Sequence, residues 1–226
     1  MTNTFPYRRS VTVSDEELAA RCALGRVVVI DDDIEILSAL SMLIEMEGYA
    51  CERYDSALHY LQVLNFNRPC FPGPCCVLCD VKMPELGGLE LQSRLAQLDD
   101  TPLILMSGVS GAPEAVSAFR AGAIDFLIKP VDADTLLGAV AKALRFSAER
   151  QHGRIQQASL AARIASLTYR EREVGRLVAQ GQTNLVIAEE LGIALRTVKL
   201  HRQRVMEKMG AASTADLVRM ALEAGW

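Results

Sequence analysis

Long apolar runs are missing from this sequence of 226 residues. A membrane-spanning helix needs roughly 18 or more consecutive apolar residues, and no segment reaches that length. The first residues, MTNTFPYRRSVTV, also lack the apolar core of a secretory signal peptide. We therefore expect a cytoplasmic protein with no membrane partner.

Glycine-rich and proline-rich tracts are also few. Apolar residues make up 50% of the chain and charged residues 23%, a composition typical of globular proteins rather than disordered ones. Because domains usually span roughly 100 to 200 residues, the length favours two domains.

Cysteine is present six times, and four of these residues fall within RPCFPGPCCVLCD at positions 68–80. A reducing cytoplasm disfavours disulfides, which leaves burial, metal binding or redox chemistry. In a strand, Cys75 and Cys79 share one face while Cys76 points to the other, whereas a tetrahedral zinc site needs thiolates that converge. We interpret CCVLC as a buried strand leading to Asp80. A metal site and a redox-sensing thiol pair are the less favoured alternatives.

Alternating strand and helix patterns fill residues 26–144, after an N-terminal extension at residues 1–25. Five strand patterns are each followed by an amphipathic helix pattern, and the runs VVVI and LILM are continuously apolar. The strand patterns are RVVVI, ACERYD, CCVLCD, PLILMSG and IDFLIKP. This alternation predicts an α/β domain with a parallel sheet covered by helices on both faces.

The pattern changes after residue 144. Residues 145–165 are polar and helix-compatible, which indicates a helical linker. Residues 166–226 contain four short helical patterns and no strand pattern, which predicts an all-α domain. Acidic residues exceed basic ones before residue 145 and the balance reverses after it, which suggests a cation site followed by an anionic partner such as nucleic acid.

Polar side chains are predicted at the carboxyl ends of the strands, where ligands bind in parallel sheets. The first strand ends in IDDD, the third in Asp80, the fourth in Ser107 and the fifth in Lys129. Clustered carboxylates attract a hard dication such as Mg²⁺, and a lysine with a hydroxyl suits phosphoryl oxygens. Asp80 can then act as a nucleophile and form an aspartyl phosphate.

These strand-end motifs resemble the receiver domain of two-component response regulators. IDDD, DVKMPELGG, MSG and DFLIKP occur in the right order over residues 26–144. The resemblance implies a flavodoxin-like five-stranded sheet of order 2-1-3-4-5, a Mg²⁺ cofactor, and a sensor histidine kinase that donates a phosphoryl group to Asp80.

The same resemblance implies roles for the other residues of the site. From the residues alone, a core role is favoured for Phe126, and Asp33 fits the start of the first helix because acidic residues are favoured there. The implied roles are metal binding for Asp31, Asp32, Asp80 and the backbone carbonyl of Lys82; phosphoryl contact for Ser107 and Lys129; space for the phosphoryl group at Gly108; and aromatic switching for Phe126.

In the second domain, NLVIAEELG and LRTVKLHRQRVMEKM predict a helix-turn-helix whose second helix enters the major groove. Val198, Val205 and Met209 recur at helical spacing and form the buried stripe. A basic helix face that is merely solvated is the alternative to DNA contact. The face opposite the buried stripe carries Arg196, Lys199, Leu200 and Gln203, of which Lys199 and Gln203 can bond base edges and Leu200 can meet a thymine methyl. The flanking residues Thr197, His201, Arg202 and Arg204 are predicted to contact phosphates.

LTYREREVGRLVAQGQTN, IAEELGI, RTVKLH and EKMG resemble the LuxR-type four-helix DNA-binding domain, and the whole chain resembles the FixJ-like branch of the NarL/FixJ class. The resemblance implies a transcription factor that dimerises on phosphorylation, binds double-stranded promoter DNA and acts on RNA polymerase. Two positions depart from the pattern: Ala194 replaces the usual serine or threonine cap of the recognition helix, and Leu185 replaces a frequent lysine.

Two other classes of function remain open. A Mg²⁺-dependent phosphatase would use Asp80 as nucleophile, but such enzymes usually carry a second carboxylate nearby, and Lys82 stands two positions on. We therefore expect no turnover enzyme, although a receiver takes part in its own phosphorylation and can slowly dephosphorylate itself. The other alternative is a LuxR-type factor with an idle receiver, controlled by protein contacts or by cysteine redox state.

Overall fold

The computed structural model describes residues 24–66, 73–98, 101–108 and 112–225. Most of the predicted extension at residues 1–25 lies outside these ranges, as does Cys70. The chain divides into two compact units, residues 1–151 and 152–226. The division falls inside the segment interpreted as a linker, and the predicted domain bounds stay predictions.

The first unit contains a five-stranded parallel sheet, as the alternating pattern predicted. Its strand order is β2-β1-β3-β4-β5, which confirms the predicted order. The strands are β1 (Arg26–Ile30), β2 (Ala50–Tyr54), β3 (Cys75–Asp80), β4 (Leu103–Ser107) and β5 (Asp125–Ile128).

Helices cover both faces of this sheet because the central strands are apolar on both sides. Val28 and Cys79 belong to one buried cluster, and Val27 and Cys76 belong to the cluster on the opposite face. Cys75 packs against the same cluster as Cys79, which confirms the predicted alternation. The helices of this unit are α1 (Ile34–Met46), α2 (Ala57–Phe66), α3 (Gly88–Leu98), α4 (Ala112–Arg120) and the first part of α5 (Ala133–Ala165).

The second unit is helical, as predicted. After α5 come α6 (Tyr169–Ala179), α7 (Asn184–Leu191), α8 (Leu195–Met209) and α9 (Thr214–Glu223). Their apolar faces meet in one core that includes Val174, Ile187, Val198 and Leu217, with Ile164 of α5 packed against it. None of the helices in the described ranges is long and apolar enough to cross a membrane.

Local signals explain the helix boundaries of this unit. Thr168 and Glu171 form a reciprocal capping box at the start of α6, and Thr183 caps α7. Gly192 and Gly210 end α7 and α8 in the left-handed conformation that glycine adopts at little cost. These boundaries set the turn that positions α8.

Candidate phosphorylation site and DNA-binding face

Lys129 joins the two buried carboxylates at the carboxyl end of the sheet. Its ammonium lies 2.7 Å from Asp31 Oδ2 and 2.6 Å from Asp80 Oδ1. Asp31 follows β1, Asp80 ends β3 and Lys129 follows β5, so three separate strands contribute to one ion-paired group. The parallel topology therefore brings together residues that are up to 98 positions apart.

Backbone amides orient the same carboxylates. Asp80 Oδ2 accepts a hydrogen bond from the Lys82 amide at 2.7 Å, and Asp31 Oδ1 accepts one from the Asp33 amide at 3.0 Å. Asp33 itself caps α1, because its Oδ1 accepts from the amides of Glu35 and Ile36. The helix-start interpretation of Asp33 is therefore confirmed.

The pKa of Lys129 reflects two opposing effects. Burial lowers the pKa of this ammonium, but hydrogen bonds and charge attraction from Asp31 and Asp80 outweigh burial and leave the pKa raised above 10.5. Lys129 therefore stays charged at neutral pH and offers a fixed positive charge beside Asp80.

The oxygen donors at this end of the sheet are of the type that a hard dication prefers. Asp31 and Asp80 direct oxygens at Lys129, whereas the Asp32 side chain is exposed. Within the described ranges, no three Asp, Glu, His or Cys side chains stand together as a set that could hold a metal ion. The Mg²⁺ ligand set of Asp31, Asp32, Asp80 and the Lys82 carbonyl stays a prediction.

Ser107 and Gly108 follow β4 beside β3. Asp80 pairs in register with Met106, so Ser107 lies one residue beyond it. The buried Ser107 hydroxyl donates to Glu114 Oε2 at 3.4 Å. At the exposed Gly108, no described atom lies within 4 Å of the position that a Cβ would take. This end of β4 therefore leaves open space beside a hydroxyl that is held by α4.

Phe126 is half-buried and packs against the buried cluster that contains Ile30 and Leu105. Its ring therefore contributes to the core, as the residues alone suggested. The switch role implied by the resemblance stays a prediction.

The sequence interpretation missed the function of Gly88. A Cβ on Gly88 would stand 2.4 Å from the Asp80 carbonyl oxygen, and one on Gly87 would stand 2.9 Å from the Val81 carbonyl oxygen. Only glycine lets α3 begin this close to the end of β3. The GG pair within DVKMPELGG was the available signal for this close approach.

The recognition helix α8 has the predicted inner and outer faces. Val198, Val205 and Met209 are buried, which confirms the predicted stripe. Ala194 occupies the N-cap position and makes no side-chain hydrogen bond. The predicted DNA-facing residues divide into exposed ones, which are Arg196, Lys199, Leu200, Gln203 and Arg204, and half-buried ones, which are Thr197, His201 and Arg202.

Two of these residues are engaged within the domain. Arg202 donates to Asn184 Oδ1 at 3.0 Å and to Thr214 Oγ1 at 2.8 Å, so it ties α8 to α7 and α9. Gln203 donates to Glu207 on the same helix at 2.9 Å. Arg202 therefore stabilises the domain itself, whereas the phosphate contact predicted for it stays a prediction.

The described cysteines are apolar core residues or half-buried ones. Cys76 and Cys79 are fully buried, and burial raises the pKa of both thiols well above 9. A thiol with a raised pKa forms little thiolate, which is the reactive form. The burial of Cys76 and Cys79 therefore favours a packing role over redox sensing for these two thiols.

The fold is that of a receiver domain followed by a helical domain that contains a helix-turn-helix. Residues 27–141 match the family model described as "Response regulator receiver domain". Residues 165–221 match the model described as "Bacterial regulatory proteins, luxR family". The two matches fall on the two structural units already described.

Several relatives resemble this chain over nearly its whole length. Transcriptional regulatory protein FixJ of Bradyrhizobium diazoefficiens is 38% identical over 89% of this chain and 96% of its own length. Response regulator protein TmoT of Ectopseudomonas mendocina is 39% identical over 86% of each chain. The solved structure of response regulator StyR is 36% identical, with a TM-score of 0.79 over 88% of this chain and 98% of that chain.

The chain belongs to the NarL/FixJ class of two-component response regulators. It is a transcription regulator whose receiver domain implies a partner histidine kinase and whose LuxR-type domain implies DNA binding. Its relatives are regulators rather than turnover enzymes, which agrees with the expectation from the sequence.

Proposed function

We propose that a histidine kinase phosphorylates this protein on Asp80. The observation that carries this assignment is the Lys129 ammonium held between Asp80 and Asp31 at the carboxyl end of the sheet. An oxygen of Asp80 attacks the phosphorus of the kinase phosphohistidine. The new P–O bond forms as the P–N bond breaks, and the histidine leaves with the bonding electron pair.

The residues around Asp80 prepare this transfer. Lys129 stabilises the negative charge of the transferring phosphoryl oxygens, and the Lys82 amide holds Asp80 Oδ2 in place. Mg²⁺, which receiver domains generally bind, would neutralise phosphoryl charge, with Asp31, Asp32, Asp80 and the Lys82 carbonyl as its proposed ligands. Gly108 leaves space for the incoming group.

The signal then passes to α4 and β5. The phosphoryl group adds negative charge and acceptor oxygens, which attract the Ser107 hydroxyl away from Glu114. Phe126 repacks in the space that this movement opens, and the face formed by α4 and β5 changes. We propose that this face then pairs with the same face of a second copy.

A dimer presents two α8 helices to a two-fold DNA site. Lys199 and Gln203 are proposed to bond base edges, and Leu200 to meet a thymine methyl. The DNA-facing set is completed by Arg196, Thr197, His201, Arg202 and Arg204. We propose that the DNA-bound dimer controls transcription by acting on RNA polymerase.

The test measures binding to a promoter fragment with and without beryllofluoride and Mg²⁺, while light scattering follows the oligomeric state. Wild type should dimerise and gain affinity, and Asp80→Asn should do neither. Glu45→Gln is the control, because Glu45 of α1 pairs with Arg53 of β2, away from Asp80 and from the α4 and β5 face. Equal responses of wild type and Asp80→Asn would contradict control through Asp80.

A further inference from the structure

Glu114, on the first turn of α4, contacts the hydroxyl that the phosphoryl group is proposed to attract. Its Oε2 accepts a hydrogen bond from the Ser107 hydroxyl at 3.4 Å. Ser107 is 1% exposed and ends β4, and Glu114 is half-buried. The pair therefore links the strand end beside Asp80 directly to the helix of the proposed dimer face.

A helix start explains the residue type of Glu114 but does not explain this contact. Acidic residues are favoured in a first turn, because the helix dipole is positive there. Glu90 occupies the same third position of α3, where it is exposed and pairs with Arg94. Glu114 instead reaches the end of the sheet, and the Ser107 hydroxyl is its polar partner within the described ranges.

A phosphoryl group on Asp80 would compete with Glu114 for the hydrogen of Ser107. A serine hydroxyl has a single O–H donor, so it cannot bond fully to both acceptors. The bond of 3.4 Å is longer than the usual O–H···O distance of about 2.8 Å. Glu114 therefore holds the hydroxyl weakly enough for a phosphoryl group to displace it.

Charge adds to this competition. The Lys129 ammonium is already paired with Asp31 and Asp80, and within the part of the chain that the structure describes no basic side chain forms a salt bridge with Glu114. A phosphoryl group brings about 1.5 to 2 negative charges. Because like charges repel most strongly where water is partly excluded, the Glu114 carboxylate opposes occupation of Asp80.

We propose that Glu114 is a positioning residue that restrains the Ser107 hydroxyl before phosphorylation and displaces the start of α4 after it. This inference rests on the proposed phosphorylation of Asp80 and adds the group that opposes it. Once Ser107 turns to the phosphoryl group, Glu114 loses its donor and faces an added like charge. The first turn of α4 then moves away from the site, which carries the signal to the dimer face.

The test is a calorimetric titration of the full-length protein with beryllofluoride at saturating Mg²⁺. Glu114→Gln removes the charge and should bind this phosphoryl analogue about fivefold more tightly than wild type, which corresponds to about 1 kcal/mol. Glu114→Asp keeps an acid at the helix start but is one methylene shorter, so it should lose the Ser107 bond and gain about twofold. Damage to the fold would lower the affinity, so a gain separates a positioning role from a structural one.

Two further variants locate the effect. Glu90→Gln removes the acid from the matched position of α3 and should bind beryllofluoride as wild type does. In a Ser107→Ala background, the gain from Glu114→Gln should fall below about twofold, because the hydroxyl that Glu114 restrains is absent.

The results that would overturn the inference differ from those that would overturn the proposed function. If wild type binds beryllofluoride and dimerises but both Glu114 variants bind it with unchanged affinity, only the inference fails. A full fivefold gain that persists in Ser107→Ala, or that also occurs in Glu90→Gln, would equally contradict an action through Ser107. Failure of wild type itself to bind beryllofluoride would refute the proposed function, and the inference with it.

Discussion

Two carboxylates that are nearly closed to solvent share one ammonium at the receiver site. The side chains of Asp31 and Asp80 are 1% and 9% exposed, and Lys129 lies within 2.7 Å of both. A buried carboxylate is strongly unfavourable without a partner, so Lys129 balances the charge of the site. The same ammonium is available to a phosphoryl group on Asp80.

Replacing Lys129 with methionine should separate these two roles. Lys129→Met should slow phosphorylation by acetyl phosphate by roughly 100-fold, because one charge-stabilising donor is lost. Mg²⁺ should bind more tightly to the variant, because the carboxylates no longer have an ammonium between them. Phosphoprotein gels and Mg²⁺ titrations measure the two effects. The exposed Lys142→Met serves as the control, and an unchanged phosphorylation rate in Lys129→Met would refute the assignment.

Glu171 is the second residue whose charge is structurally important. It is 2% exposed, and the hydrogen bond from Lys208, followed by the bond from the Thr168 amide, lowers its pKa from 4.5 to about 2. Because the folded pKa is depressed, the ionised side chain stabilises the fold above pH 4.5. That stabilisation is lost as the pH falls toward 2.

Glu171→Gln should therefore be less stable than wild type at pH 7, and the difference should shrink between pH 4.5 and pH 2. Hydrogen exchange of peptides from α6 and α8 in the full-length protein measures the free energy of opening. Glu173→Gln, which removes an exposed pair with Arg170, should show little change at either pH. A pH-independent deficit in Glu171→Gln would indicate lost packing instead of lost charge.

At the level of elements, α8 is held differently at its two ends. Its first turn lacks a side-chain cap because Ala194 occupies the N-cap position. Its last turn ends at Gly210, and Arg163 of α5 donates to the Met209 carbonyl at 2.8 Å. A basic group at a helix C-terminus is favourable for the helix dipole. The middle of α8 is tied to its neighbours by Arg202.

Two arginines on α8 should respond differently to substitution. Arg202→Ala should lower the free energy of unfolding of the helical unit by about 1–3 kcal/mol, because Asn184 and Thr214 lose their donor. The exposed Arg204→Ala should leave stability unchanged. It should make the slope of the logarithm of the DNA-binding constant against the logarithm of salt concentration shallower by about one. Hydrogen exchange and DNA titrations at several salt concentrations distinguish the two. If Arg202→Ala were as stable as wild type and had a reduced salt slope, Arg202 would contact DNA and would not be required for the stability of the helical unit.

At the level of the whole molecule, assembly depends on surfaces that are apolar and exposed. Val116 and Phe119 are 48% and 51% exposed and lie three residues apart on α4, so they share a face of the helix. Ile128 on β5 is also exposed. These residues lie on the two elements of the proposed dimer face, where burial against a second copy would remove apolar area from water.

Phe119→Asp should prevent the dimer without preventing phosphorylation. Each dimer face would carry a new carboxylate in place of an apolar ring, and desolvating that charge opposes association. Light scattering with beryllofluoride should show a monomer, whereas phosphate incorporation should equal that of wild type. Met42→Asp places the same charge on an exposed position of α1 and should still dimerise. A phosphorylated Phe119→Asp dimer would rule out this face.

The sequence alone was sufficient for the sheet order, the faces of the cysteines and the buried stripe of α8. Each of these follows from short-range periodicity or from the resemblance of motifs such as IDDD and RTVKLH. Asp33 could also be read as a helix start, since capping involves neighbouring residues only. Patterns of this kind are encoded within a few residues of chain.

The tertiary structure alone decided which polar groups meet. Lys129 pairs with Asp31 across 98 positions, Arg202 bonds to α7 and α9 instead of facing only outward, and Ser107 bonds to Glu114. Long side chains reach several neighbours, so their partners depend on how distant segments pack rather than on local spacing. Within the part of the chain that the structure describes, the buried Oε1 of Gln92 has no hydrogen-bond partner, and this too depends on tertiary packing, because every element around a buried acceptor can supply a donor.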